Sequence, residues 1–312
     1  MAFDQSSTTD DVLAGIDLSG KTAIVSGATA GLGEETARAL AAHGADVTIL
    51  GRGQDKLDAA AARILETTGR GVETGVLELG KPTTIRAFTE GWLAAHGRLD
   101  FLINNAGIMM CPLTRTAEGW EMQFATNHLG HFLLTNLLMP ALKVSGAARV
   151  VSVSSAGHNM APVDLDDIHY DNRAYDPIDA YGQSKTANIW FVNELDRRRK
   201  ADGIRGFSLH PGGIHTDLGR HLTPEIYDAL MEIIRTRGGG DGEMKTIPQG
   251  AATSCYAATS PKLDGKGGLY LVNCAVAEPG DHIVLNHAPW AFDPESESRL
   301  WEMSNRMLGT DF

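Results

Sequence analysis

Cysteine is scarce in this chain of 312 residues: Cys111, Cys255 and Cys274 are an odd number, widely spaced, with no CxxC pair. That pattern argues against a disulfide scaffold and against a cysteine-based zinc site. Long apolar runs are also missing. The best, His131 to Leu142, is interrupted by Thr135, Asn136 and Pro140, whereas a membrane span calls for about 18 uninterrupted apolar residues. The opening MAFDQSSTTDDVLAG has neither the basic nor the apolar stretch of a signal peptide. Residues 1–17 therefore read as a loose leader to a soluble, reducing, cytoplasmic protein without membrane contact. Basic charge is sparse, 27 residues against 39 acidic for a net −12, and its one dense run is Arg197-Arg198-Arg199-Lys200. Such a surface repels nucleic acid. No internal repeat and no Pro/Ser-rich linker divides the chain, so residues 18–312 are expected to form one domain. With 43% hydrophobic and 21% charged residues, the chain can bury a large core and is neither disordered nor fibrous.

Glycine, by contrast, is plentiful at 35 residues, pointing to tight turns or close backbone–ligand approaches. Short β-rich runs at Thr22–Ser26, Val47–Leu50, Gly75–Leu79, Phe101–Asn104, Arg149–Val153, Gly206–His210 and Gly268–Val272 alternate with helical stretches. These helices lie between Glu34 and Ala42, Lys56 and Glu66, and Thr84 and Ala95, then around Glu118–Leu142 and Ala180–Lys200. Strands separated by helix-length segments imply βαβ units, and near-continuous apolar strands imply a parallel sheet covered on both faces. The prediction is an α/β fold: a doubly wound parallel sheet of about seven strands. Two segments break the rhythm, 157–179 and 218–247; the second carries an apolar stripe (Ile226, Leu230, Ile233, Ile234) followed by Gly238-Gly239-Gly240. Loops beyond the carboxyl ends of strands build the ligand crevice in such sheets, so both are expected near substrate.

The first strand leads into Gly27-Ala-Thr-Ala-Gly31-Leu-Gly33 and then a helix. A glycine-rich turn there lets backbone N–H groups and the helix N-terminus meet a pyrophosphate. The second strand ends in Leu50-Gly51-Arg52, with no carboxylate for a ribose 2′-OH. Arg52 suits a 2′-phosphate, which favours NADP over NAD. Tyr181 and Lys185 stand at i and i+4, on one helix face. A cation one turn away favours the phenolate and is expected to lower the tyrosine pKa toward a working range.

In order along the chain come this glycine turn, Asn104-Asn105-Ala106-Gly107, Thr126-Asn127-His-Leu-Gly, Val153-Ser154-Ser155, Tyr181-Gly-Gln-Ser-Lys185 and Pro211-Gly-Gly-Ile-His-Thr216. With these six motifs the sequence resembles the short-chain dehydrogenase/reductase family over almost its whole length. It is most similar to the retinol-dehydrogenase-like branch, through Asn127-His-Leu-Gly-His-Phe-Leu-Leu, Tyr181-Gly-Gln-Ser-Lys-Thr-Ala-Asn188 and Lys245-Thr-Ile-Pro-Gln-Gly-Ala251. The resemblance implies a Rossmann-type fold and an NADP-dependent alcohol dehydrogenase or carbonyl reductase. Tyr181 would be the acid and base; Lys185 would tune the phenol and hold the nicotinamide ribose. Ser155 would bind the substrate oxygen, and Asn127 would position a relay water. Cofactor contacts would come from Gly27, Thr29, Gly31, Leu32, Gly33, Arg52, Leu79, Asn105, Ala106, Gly107, Pro211, Gly212, Ile214 and Thr216. Glu78 stands where the family usually has aspartate. The resemblance also implies a homodimer through the helices carrying Asn127 and Tyr181.

On the substrate side, His158, Met109, Met160 and Leu218, with Ile108, Met110, Leu222 and Ile226, suggest an apolar pocket for a bulky hydrophobic substrate. No metal is expected. His128 and His131 lack a carboxylate partner, and Asp164, Asp166, Asp167 and Asp171 lack the glycine of a calcium loop. Alternatives are a nucleotide-sugar epimerase or dehydratase, disfavoured by the spacing of Gly27, Gly31 and Gly33, or a silent NADP-binding scaffold, disfavoured by four filled catalytic positions.

Overall fold

The computed structural model describes residues 3–239 and 244–312; Gly240 and the first two residues of the leader lie outside them. Its elements run α1 (Thr9–Leu13), β1 (Thr22–Ser26), α2 (Gly31–Ala42), β2 (Asp46–Gly51), α3 (Gln54–Thr68), β3 (Glu73–Val76), α4 (Pro82–Ala95) and β4 (Phe101–Asn104). Then follow α5 (Met122–Phe124), α6 (Gly130–Leu137), α7 (Met139–Ser145), β5 (Arg149–Val153), α8 (Pro177–Arg199) and β6 (Arg205–His210). The chain closes with α9 (Pro224–Thr236), α10 (Ile247–Thr259), β7 (Leu269–Val272), β8 (Ala275–Val276) and α11 (Pro294–Leu308).

All strands join one sheet in the order β3-β2-β1-β4-β5-β6-β7-β8. Every pairing is parallel except β7 with β8. The sheet thus has eight strands rather than seven, because Leu271 and Val272 are met by a two-residue antiparallel return too short to leave a pattern in the sequence. One face carries α1, α2, α3 and α10, packed through Leu13, Leu40, Leu57 and Cys255; the other carries α4, α6, α7, α8 and α11, through Trp92, Phe132, Leu142, Phe191 and Trp301. The order reverses between β1 and β4, and the carboxyl ends of those two strands open the crevice.

Three expectations change. The leader is not loose from Thr8 onward: Thr8 and Asp11 form a capping box at the start of α1, and Val12 and Leu13 join the core. The third strand lies at Glu73–Val76, earlier than expected; β3 is a sheet edge with exposed Glu73 and Val76, while Leu77 and Leu79 leave it to fill the core. The helix expected over Glu118–Leu142 is broken into pieces, with a π-helical turn at Ala125–Leu129 between α5 and α6. In addition, α8 is buried continuously from Ala180 to Asp196. Part of its cover is α11, whose Trp301 ring stacks on Phe191 at 6.0 Å and meets Phe132 edge-on at 4.8 Å. The helices expected to pair with a second copy are thus covered by the chain itself.

Candidate active site

The glycine turn is built so that its backbone comes close to neighbouring backbone. Gly27 and Gly31 have φ of 65° and 61°, the left-handed region that side chains resist. A Cβ on Gly33 would fall 2.4 Å from the Gly27 carbonyl oxygen, and one on Gly27 would fall 2.7 Å from the Ala106 Cα. The next motif is joined to this turn: Ser26 Oγ accepts from the amides of Asn105 and Ala106, both at 3.0 Å, and Asn105 Nδ2 donates to the Ser26 carbonyl at 2.9 Å. The first turn of α2 has no side-chain cap at Ala30, leaving its amides for an anion. Thr216 faces Gly31, its methyl 3.5 Å from where a Cβ would stand, and Leu32 and Ile214 both pack against Gly250. The residues present therefore fit a dinucleotide.

At the end of β2 a side chain on Gly51 is excluded, since its Cβ would lie 2.7 Å from Thr29 Cγ2. Arg52 next to it is exposed, and the Thr29 carbonyl is tied to α3 by Arg63 at 3.1 Å. Glu78 pairs with Lys81 at 2.7 Å, and Leu79 beyond it is buried. Pro211 is buried, and Gly212 has φ of 105° against the Lys245 stem.

Ser155 follows β5, and its Oγ accepts from Gly157 N at 3.0 Å. Tyr181 lies across from it on α8. A Cβ on Gly157 would meet the Tyr181 ring at 2.8 Å and Ser155 Oγ at 3.4 Å, so this glycine lets the two side chains come together. Lys185 Nζ donates to the Val153 carbonyl at 3.0 Å and sits 5.5 Å from the centre of the Tyr181 ring. Gly107 borders both Asn127 Oδ1 and Lys185 Nζ, at 3.3 and 3.5 Å from a Cβ position. Within the π-turn, Asn127 is spent on structure: its amide donates to the Ile108 carbonyl and Ser184 Oγ and its oxygen accepts from Ile108 N, each at 2.9 Å.

Burial dominates the electrostatics. It pushes the Tyr181 phenol up to about 12, against a smaller lowering by Ser155, and pulls Lys185 down to about 7. The expected lowering of the phenol by its neighbouring lysine is not found: burial of the phenol itself outweighs Ser155, and burial separately disfavours the ammonium.

On the substrate side, Met109, Met160 and Leu218 are half-buried, and Met160 packs on Gly182 beside Tyr181. Met110 is instead buried, its amide held by Gln123 at 2.8 Å. His158 does not line the mouth: it is fully buried behind Ser155, against Tyr270. Ser154 is likewise internal, donating to the Lys185 carbonyl at 2.7 Å. His128 and His131 are fully buried, paired with Ser304 and Ser26 at 2.8 Å. Residues not singled out from the sequence also enter here. His210 Nδ1 accepts the Ala156 amide at 3.1 Å and Tyr270 donates to the Ser155 carbonyl at 3.3 Å. His210 does end a strand just before Pro211; Tyr270 had no signal beyond a strand pattern.

Comparison with known proteins agrees with this arrangement. Residues 21–226 match the model of the short chain dehydrogenase family. The short-chain dehydrogenase/reductase prx1 of Penicillium roqueforti is 43% identical over 92% of this chain and 85% of its own. Retinol dehydrogenase 12 of Homo sapiens is 38% identical over 94% and 88%. A crystal structure of a protein from Mycobacterium paratuberculosis, 33% identical, superposes with a TM-score of 0.75 over 98% of this chain and 99% of that one. With a glycine cradle, a Ser–Tyr–Lys cluster and these relatives, the chain belongs to the short-chain dehydrogenase/reductase family of oxidoreductases, in its retinol-dehydrogenase-like branch.

Proposed function

We propose that the protein is an NADP(H)-dependent oxidoreductase that interconverts an alcohol with its ketone or aldehyde. The observation that carries this is the meeting of Tyr181 and Ser155 over Gly157, with Lys185 one helical turn on. When bound, the nicotinamide gives or takes the hydride. The chain's own residues do the rest. The turn from Gly27 to Gly33 and the first amides of α2 hold the pyrophosphate, and Arg52 meets the 2′-phosphate. Lys185 and the Gly107 edge hold the nicotinamide ribose. Ser155 donates a hydrogen bond to the substrate oxygen, and Tyr181 passes its proton to that oxygen as negative charge develops there. A phenol pushed up to about 12 stays protonated at neutral pH, so it carries the proton that a carbonyl oxygen would receive. In the oxidising direction, protonated Lys185 stabilises the phenolate. Asn127 supports the strand-end loop through Ile108.

Half-buried Met109, Met160 and Leu218 favour a bulky hydrophobic substrate, as does kinship with a relative named for retinol. A reducing, cytoplasmic setting accords with Cys111, Cys255 and Cys274, all buried free thiols. The test is NADPH and NADH oxidation with a panel of ketones and aldehydes. NADPH should be preferred, and Arg52→Ala should weaken it about tenfold, the loss of one charge-assisted contact, while leaving NADH unchanged. Equal use of both cofactors by the native enzyme would defeat the NADP assignment.

A further inference from the structure

Ser155 is followed by a tight turn, Ala156–Asn159, and its carbonyl is the most heavily bonded group in that turn. Three donors converge on it: the His158 amide at 3.1 Å, His158 Nδ1 at 2.7 Å and Tyr270 Oη at 3.3 Å. The tautomer of His158 follows from its other nitrogen. Nε2 lies 3.1 Å from the Ala288 amide, which can only donate, so Nε2 carries the lone pair and Nδ1 the proton. Burial pulls the ring's pKa down to about 4, so this neutral form holds throughout ordinary pH. With Nδ1 protonated, the Tyr270 hydroxyl 3.3 Å away turns its own proton to the Ser155 carbonyl. His158 also reaches the distant chain through its carbonyl, which accepts from Trp290 Nε1 at 3.0 Å and Thr186 Oγ1 at 3.1 Å.

We infer that His158, as its Nδ1–H tautomer and together with Tyr270, is a positioning residue that clamps the Ser155 peptide so that Oγ faces Tyr181. The inference rests on the reading that Ser155 binds the substrate oxygen. A carbonyl held by three donors cannot rotate without breaking them, which fixes the Ser155 backbone, and the Gly157 amide at 3.0 Å then sets Oγ on that fixed frame. Orientation errors of an ångström at a reacting centre are costly.

Two substitutions separate this role from simple packing. In His158→Asn the amide nitrogen stands where Nδ1 stood and keeps the donor to Ser155. In His158→Gln the longer amide reaches the Ala288 amide and leaves the Ser155 carbonyl without its ring donor. We expect kcat to fall about tenfold in His158→Gln, with KM for NADPH unchanged, and His158→Asn to recover most of it, even though the melting temperatures rank the other way. Tyr270→Phe should lower kcat in the same selective manner. Equal kcat losses in both His158 variants, or losses that track melting temperature, would overturn the role. Ser155→Ala runs in the same assay: if the native enzyme turns over and Ser155→Ala is as active, the reading of Ser155 fails instead. Imidazole ¹⁵N NMR of the native protein, with the His158 signal assigned by its loss in His158→Asn, gives an answer independent of turnover. A protonated Nδ1 at pH 7 supports the clamp, and a protonated Nε2 removes it.

Discussion

The two ends of the sheet are made of opposite kinds of polar residue. At the amino ends, each parallel strand from β1 to β6 starts on or just after a charged one: Lys21, Asp46, Glu73, Asp100, Arg149 and Arg205. Most are paired, Asp100 with Lys21 at 3.2 Å and Arg98 at 2.6 Å, Arg149 with Asp264 at 2.6 Å, and Arg205 with Asp196 at 2.7 Å. At the carboxyl ends stand Ser26, Asn104, Asn105, Ser154, Ser155 and His210, neutral and joined by hydrogen bonds. Lys185 is buried among them. The amino ends spend charge on holding elements together. The carboxyl ends of β1, β4, β5 and β6 gather neutral groups around Lys185, so that a single proton or charge there acts at low dielectric and counts for more.

The largest effect should come from the carboxyl end. Tyr181→Phe keeps the ring that packs on Gly157 but removes the proton, and kcat should fall by roughly 10²–10⁴-fold with little change in melting temperature. Steady-state kinetics at saturating NADPH checks this; retention of more than about a tenth of native kcat would take Tyr181 out of the mechanism.

Lys185→Met sharpens the contrast, since it should cost activity and yield stability. Burial holds Lys185 at about 7 in the folded chain, below its ordinary value near 10.4. Between those limits the unfolded chain carries a proton that the folded one lacks, so native stability rises with pH across that window. The variant escapes the cost. It should melt at least about 3 °C above native near pH 7, roughly what 1 kcal/mol produces in a chain this size, and the gap should narrow toward pH 10. Thermal melts at three pH values would expose the trend; a variant less stable than native at pH 7 would refute it.

The mildest change is at the amino end. Burial alone would raise Asp100, but Arg98, the Thr22 amide, Ser145 and Lys21 outweigh it and hold the carboxyl at about 2. Its folded pKa is depressed, so its contribution is present above about pH 4 and lost as pH falls toward 2. Asp100→Asn should cost about 1–2 kcal/mol at pH 7, read from urea unfolding, with kcat within about twofold of native. A comparable loss in kcat would mean that the two ends are coupled.

The carboxyl end was more legible in sequence than its small polar residues suggest, because its motifs are local. Gly27-Gly31-Gly33, Asn104–Gly107 and Tyr181 with Lys185 each sit within one turn or one helix, so their types and spacing point to the crevice. His158 was misjudged for the same reason. Proximity to Ser155 suggested the mouth, while its burial depends on Tyr270 and Ala288, more than a hundred residues later. The amino-end pairs are long-range too, Lys21 with Asp100 and Arg149 with Asp264, and no periodicity announces them. In the leader, the Thr8–Asp11 cap was readable, and only the acidic, polar tone of the segment hid it.

The π-turn at Ala125–Leu129 acts as a length gauge. A π-turn closes on five residues where an α-turn closes on four. By Gly130 the chain has therefore slipped about 100° in helical phase from a continuous α-helix. That slip aims Asn127 at Ile108 and brings Gly130 beneath the Leu79 carbonyl, so closely that a Cβ would stand 2.4 Å from the oxygen. Removing one residue would restore ordinary phase and rotate some other side chain into that contact, while turning Asn127 away. Between Phe124 and Phe132, then, length is fixed as tightly as spelling: a replacement of Gly130 or Asn127 loses one of these contacts, and an insertion or deletion moves both out of phase.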